Sequence, residues 1–390
     1  MKKVLLSIAG FIIGVGIGYI IFLSPVISSR SNALFTQTYN KLYLPKKYII
    51  GFLPYWLLSR AKTDYSQEIT TLTYFGLRVE GNGSIQEVLS PQEAEPGWNT
   101  LYSGNVKPFF QNAKQHNVSL SLLIFNGNPD AIAQLVYNPI PHGHMLAKNV
   151  LPVLKRYGFS DLNLDIEYTQ SASPAGRLHF TQFVQTVKHD IGKHVTLTVE
   201  VSTSDVIKKN LIDIKAMGKI ADHVVLMAYD FHSPDSFVTG PVAPLNGAGT
   251  VSEYDVKTAL QNILHDVSGK KIVLGIPDYG YEWETFTPFP RSAVIPNSGV
   301  AASTLRAASC ASCSAKRDTT ADEVHSVYRD KTAGDYHQFF YPDIHSTRGK
   351  LALADALRLE GVGIWALGYE DKTILTPLAA YKQEGTIVIR

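Results

Sequence analysis

Eight strand-length apolar runs recur along this 390-residue chain, at Tyr48 to Leu53, Leu72 to Gly76, Val118 to Phe125, Phe159 to Glu167, Val195 to Ser202, His223 to Asp230, Ile272 to Tyr279 and Gly361 to Leu367. Helix-length stretches separate most of them. The clearest runs from Pro174 to Ile191, where Phe180, Phe183, Val184, Val187 and Ile191 keep helical spacing behind a Ser173 cap. Strands alternating with helices imply a parallel sheet, and eight repeats over roughly 340 residues predict an α/β fold, the closed (β/α)8 TIM barrel. An open doubly wound sheet is the alternative, but no Gly-rich phosphate loop follows the first run to support it.

The fourth run reads YGFSDLNLDIEY, and in it Asn163, Asp165 and Glu167 alternate with Leu162, Leu164 and Ile166. Successive strand side chains face opposite ways, so the three polar groups share one face, each roughly 6.6 Å from the next. The other face is aliphatic enough to pack under helices. An amide and two acids opposite such a face do not make an ordinary solvated edge; the pattern points to chemistry.

With 45% hydrophobic and 18% charged residues, the chain supplies a barrel core and predicts no long disorder. Thirty-six basic against thirty-four acidic residues leave a formal charge of +2, which gives no electrostatic argument for nucleic acid as a partner. The amino terminus reads separately. Lys2 and Lys3 precede Val4 to Leu23, a stretch without a charged residue, and about twenty helical residues span about 30 Å, the depth of a bilayer core. Residues 1–28 are therefore expected to be a single-pass transmembrane helix in the cell membrane, with residues 29–45 as linker and 46–390 as an extracytoplasmic catalytic barrel. Cleavage near Ser31-Asn32-Ala33 would make the protein secreted instead. Gly10, Gly14 and Gly18 have small-xxx-small spacing, but glycine is common in membrane helices and a monomer is expected.

Three motifs, in order, resemble the family 18 glycoside hydrolases. The family's strand-four signature D-x-x-D-x-D-x-E is matched by Ser160, Asn163, Asp165 and Glu167. Its M-x-Y-D signature at strand six is met by Met227, Tyr229 and Asp230, and its last-strand tryptophan by Trp365. The match covers roughly Lys46 to Tyr381. Two positions depart from it: Ser160 replaces the first acid and Asn163 the second. Asn163 can still donate a hydrogen bond to Asp165 through its amide, and bacterial members of the cell-wall and spore-peptidoglycan branch often carry Asn there. Ser160 leaves a slower enzyme open.

The resemblance implies cleavage of β-1,4 linkages next to N-acetylglucosamine, in peptidoglycan or chitin-like polymers. Most retaining glycosidases place two carboxyl groups on opposite sides of the scissile bond, whereas Asp165 and Glu167 share one strand and one face; family 18 uses the substrate's own N-acetyl group as nucleophile. Glu167 is then the general acid and base, with a pKa raised by Asp165 and partial burial. Asp165 orients the acetamide, and the Tyr229 hydroxyl bonds its carbonyl. Asp230 is expected to bond a sugar hydroxyl or to support Asp165. No metal or organic cofactor is required. The alternative is a catalytically weak or inactive, lectin-like barrel that holds such glycans.

Trp56, Trp98, Trp283 and Trp365 all fall near the carboxyl ends of predicted strands, where indoles can stack on pyranose rings, and Tyr55 and His232 are further groove candidates. Cys310 and Cys313 lie in an insertion at about 281–342, expected to be a small α+β subdomain between strands seven and eight. Outside the cytoplasm their spacing favours a local disulfide over free thiols or a redox or metal role. His142 and His144 lack a second ligand pair and are not expected to hold a metal.

Overall fold

A computed structural model describes residues 47–303, 310–371 and 373–384. The eight runs become β1 (Tyr48–Pro54), β2 (Thr71–Arg78), β3 (Ser119–Asn126), β4 (Asp161–Ile166), β5 (Thr196–Ser202), β6 (His223–Met227), β7 (Ile272–Pro277) and β8 (Gly361–Trp365). They close into one all-parallel barrel, with β8 pairing back onto β1. The expected membrane helix and linker lie outside the described residues. Among the described residues, no helix is long and apolar enough to cross a membrane.

The alternation in β4 explains how the barrel is layered. Leu162, Leu164 and Ile166 point outward into a large core shared with Phe180, Phe183, Val184 and Val187 of the helix Pro174–Ile191. Ser173 caps that helix by accepting from the Gly176 amide. At the other end of the preceding crossover, Gly158 takes a left-handed φ of 73° and turns the helix Pro139–Tyr157 into β4. Inward-facing residues divide the barrel lumen into two sectors. Ile50, Phe52, Leu123, Val225 and Val273 make a buried apolar cluster. Asp161, Asn163 and Asp165 of β4, with Thr198 and Glu200 of β5, make a buried polar one.

Between β7 and the helix Ile344–Ala356, the chain builds a five-stranded sheet from Tyr279–Thr285, Val300–Ser303, Ser314–Asp318, Glu323–Arg329 and Tyr336–Tyr341, antiparallel throughout. Residues 304–309 of the insertion lie outside the described residues. Among the described residues from Tyr279 to Tyr341 the insertion is sheet and loop, and Tyr279, Tyr281 and Trp283, at alternate positions of its first strand, cluster with Phe340. Cys310 and Cys313 form a disulfide within it.

Candidate active site

A cleft of about 610 Å³ opens at the carboxyl ends of the strands. Asp165, Glu167, Glu200, Met227, Tyr229, Asp230 and Trp365 line it, with Phe52, Phe75, Leu123 and Phe125 on its apolar side. Trp365 ends β8 and packs edge-on against Phe52 and Phe75, at 5.8 and 5.1 Å between ring centroids. One wall of the cleft is therefore aromatic and the other acidic.

The acids differ in how they are held. Asp165 is buried and its Oδ1 receives no donor from any described protein group. Burial, then the charges of Glu167, Glu200 and Asp205, push its carboxyl well above the usual carboxylate range. Glu167 sits one residue past β4, fixed by its amide donating to Asn126 O at 2.9 Å. Its side chain is exposed at the cleft, and the protein packed around its carboxyl, followed by the charges of Asp230 and Asp205, raises its pKa. The direction is the one expected from the sequence: Asp165 and Glu167 act on each other, and Asp230 and Asp205 add to the negative field at Glu167. Tyr229 is raised well above the ordinary phenol value by burial, then by Glu200, Asp165, Asp230 and Glu167, so its hydroxyl stays protonated as a donor.

Asp230 follows β6 with φ 58°, a left-handed conformation that Asp tolerates better than most residues. Its Oδ1 accepts from Tyr279 Oη at 2.5 Å and Tyr281 Oη at 2.7 Å. Those bonds commit it to the inserted sheet, which it joins to the cleft, and its charge acts on Glu167.

The sequence matches the family described as Glycosyl hydrolases family 18 across residues 48–370. The chain belongs to that family. It is 24% identical over 350 residues to a putative sporulation-specific glycosylase of Bacillus subtilis, covering 86% of this chain and 76% of that one. It is 27% identical over 311 residues to a cortical fragment-lytic enzyme of Bacillus anthracis, covering 77% of this chain and only 65% of that relative. Its fold superposes on a group IV chitinase of Ostrinia furnacalis, solved in complex with allosamidin, with a TM-score of 0.75 at 18% identity, over 87% of this chain and 100% of that one. As a family 18 member, this chain is a glycosidase acting on glycans.

Several residues expected at the glycan site of this family 18 glycosidase lie elsewhere. Trp283 is fully buried in the inserted sheet, packed with Tyr281 and Phe340, and its Nε1 donates to Ser233 O. Its strand continues β7 away from the barrel mouth and turns the indole into a core. Trp98 sits on the helix Pro96–Ser103, stacked on Tyr102 at 4.1 Å and packed against the outer core. His232 is buried with Nδ1 on Pro241 O, and burial lowers its pKa. Tyr55 packs against the same outer core and meets Trp56 edge-on. Trp56 does not line the cleft, yet it is 44% exposed beside it, 6.3 Å from Trp365. Asn163 is buried below the cleft floor, bonded to Glu200.

Sequence reasoning missed Glu200. Its signal was present, because Thr196, Thr198 and Glu200 alternate with Leu197, Val199 and Val201 just as the β4 residues do. Ser160 proves remote from the cleft. It lies exposed before β4, at the barrel's amino end, roughly 20 Å along the strand direction from Glu167.

Proposed function

We propose that this protein cleaves β-1,4 linkages next to N-acetylglucosamine by substrate-assisted, retaining catalysis. One observation carries the reading: Asp165, Glu167 and Tyr229 converge on a single cleft floored by Trp365. Glu167, with its raised pKa and its reach to the cleft mouth, protonates the leaving oxygen and later activates water. Asp165 turns the substrate acetamide toward the anomeric carbon and stabilises the positive charge that develops as the ring closes. Tyr229 donates to the acetamide carbonyl. Well-oriented intramolecular attack supplies on the order of 7 to 11 kcal/mol of the barrier, so no protein nucleophile is needed behind the sugar.

We further assign the uncharged stretch Val4–Leu23, behind Lys2 and Lys3, as an uncleaved anchor that holds the barrel outside the cell. An outward-facing, tethered glycosidase meets the cell's own wall first. Peptidoglycan is therefore the favoured polymer, and the name of the Bacillus anthracis relative, a cortical fragment-lytic enzyme, supports that choice.

The test is product release by the full chain, purified in detergent, from N-acetylglucosamine oligomers and from purified peptidoglycan, beside Glu167→Gln. Cleavage that disappears in the variant supports the mechanism and ranks the polymers. Equal cleavage by both proteins would sink it, and glycan binding without cleavage by either would make this a lectin-like barrel.

A further inference from the structure

One buried acid of the cleft has no task in the proposed hydrolysis. Glu200 on β5 is 3% exposed and lines the cleft beneath Asp165 and Glu167. Its Oε1 accepts from Asn163 Nδ2 at 2.7 Å. That bond fixes which way the Asn163 amide is turned and leaves its Oδ1 without a donor from any described protein group.

Resting on the hydrolase reading, we propose that Glu200 is a positioning residue of the reaction: from β5 it supplies the inner carboxyl that β4 lacks at position 163, holding the Asn163 amide and exchanging charge with Asp165 and Glu167 as the third acid of the site.

Titratable groups crowd Glu200 from several elements. Asp161 and Asp165 face it from β4, beside the bonded Asn163 amide, Glu167 from the loop beyond, Tyr229 from the segment after β6 and the Tyr48 hydroxyl from β1, while Asp205 of the helix after β5 acts on Asp165 and Glu167. His223 of β6 lies on the far side, nearer Asp161. Lys208 is the basic residue among those lining the cleft, and it sits at the rim, paired with Glu253. Several carboxyl groups in a low-dielectric interior with no buried cation among them cannot all be ionised, so they titrate as one set. The proposed reaction needs Asp165 ionised and Glu167 protonated at the same time. In the proposed arrangement Glu200 carries a proton while Asp165 is ionised; Asp161, which burial raises against three opposing hydroxyl donors, lies at the far end of the strand. Burial and the charges of Glu167 and Asp161 hold Glu200 well above the ordinary carboxylate range, which agrees with this placement.

As pH rises, Glu200 eventually ionises, and the new negative charge delays loss of the Glu167 proton. Glu200→Gln keeps the shape and the bond from Asn163 but cannot acquire that charge. The alkaline limb of kcat against pH should then fall by about one unit, a tenfold change in proton affinity, with KM within about twofold, as binding contacts are untouched. Asn163→Asp combined with Glu200→Gln returns the acid to β4 and reverses the bond, since the amide introduced on β5 would donate to the carboxylate introduced on β4. That double variant should recover most of the lost unit.

The experiment is the pH profile of the full chain and both variants on whichever of the two glycans it cleaves, with thermal melts as a folding control. A Glu200→Gln profile that superimposes on the wild type overturns the proposal. If Glu200→Gln fails to fold, a folded double variant with a wild-type limb supports the proposal and a displaced limb overturns it. Activity retained in Glu167→Gln would instead remove the hydrolase reading, whatever Glu200→Gln does. A dead Glu167→Gln beside an unaltered Glu200→Gln removes only the role of Glu200.

Discussion

Asp161 and Asp165 stand four residues apart on one strand and one inner face, both buried, yet the barrel treats them oppositely. Asp161, near the amino end of the strand, accepts from Ser121 Oγ at 2.6 Å, Thr196 Oγ1 at 2.7 Å and Thr198 Oγ1 at 2.9 Å. Asp165, roughly 13 Å further along, has an oxygen without a protein donor and three acids acting on it. Hydroxyl donors convert a buried acid into a structural fastening. Withholding them at the carboxyl end keeps an acid ready to respond to charge in the cleft, at a cost in stability.

The largest effect that would test this contrast is catalytic. Asp165→Asn should lower kcat by about 10²- to 10³-fold, about 3 to 4 kcal/mol of barrier, while the melting temperature stays level or rises. An active Asp165→Asn enzyme would erase the distinction. Asp161→Ala should behave the other way, strand three hydroxyls and cost about 2 to 3 kcal/mol of stability by denaturant titration, while the protein that remains folded keeps its kcat.

The tryptophans sharpen the same division. Trp283→Ala should cost about 3 to 5 kcal/mol of stability through the cavity left in the inserted sheet. Trp365→Ala should chiefly raise KM or Kd for the glycan, read by oligomer titration, with less loss of stability.

A smaller effect lies in pH. Asp165 and Glu200 have pKa values raised by folding, so the native state binds more protons than the unfolded chain above the ordinary carboxylate range. Their contribution to stability is fully present below that range, about pH 4, and is lost as pH rises through the folded values. The melting-temperature advantage of Asp165→Asn over wild type should therefore grow from about pH 4 to about pH 8. A difference that is flat with pH would mean that Asp165 is already ionised in the resting protein. Smallest of all, Trp98→Ala should leave kcat and KM within about twofold, because its ring stacks on Tyr102 outside the cleft.

Much of this was legible along the chain because strand and helix periods are local properties. All eight strands appeared as apolar runs, with edges misplaced by a few residues where flanking loops continue the apolar pattern, as at Val118 and Phe159. Asp165, Glu167, Met227, Tyr229, Asp230 and Trp365 line one cleft because they lie at strand ends, and the ends of parallel strands meet at one mouth. Trp98, Trp283 and His232 were misjudged for the converse reason. Nearness in sequence to a strand end does not say whether the chain then turns across the mouth, into a crossover helix or into an inserted sheet.

The closed barrel, the inward face of β4 and the family could all be read along the chain, since each follows from residue type at a fixed spacing. It took the assembled barrel to bring Glu200 of β5 onto Asn163 of β4, to set two tyrosines of the inserted sheet on Asp230, and to bury Trp283 as core. Those pairings depend on register between strands, set by the closure of the whole barrel, and register has no local signature in a single strand.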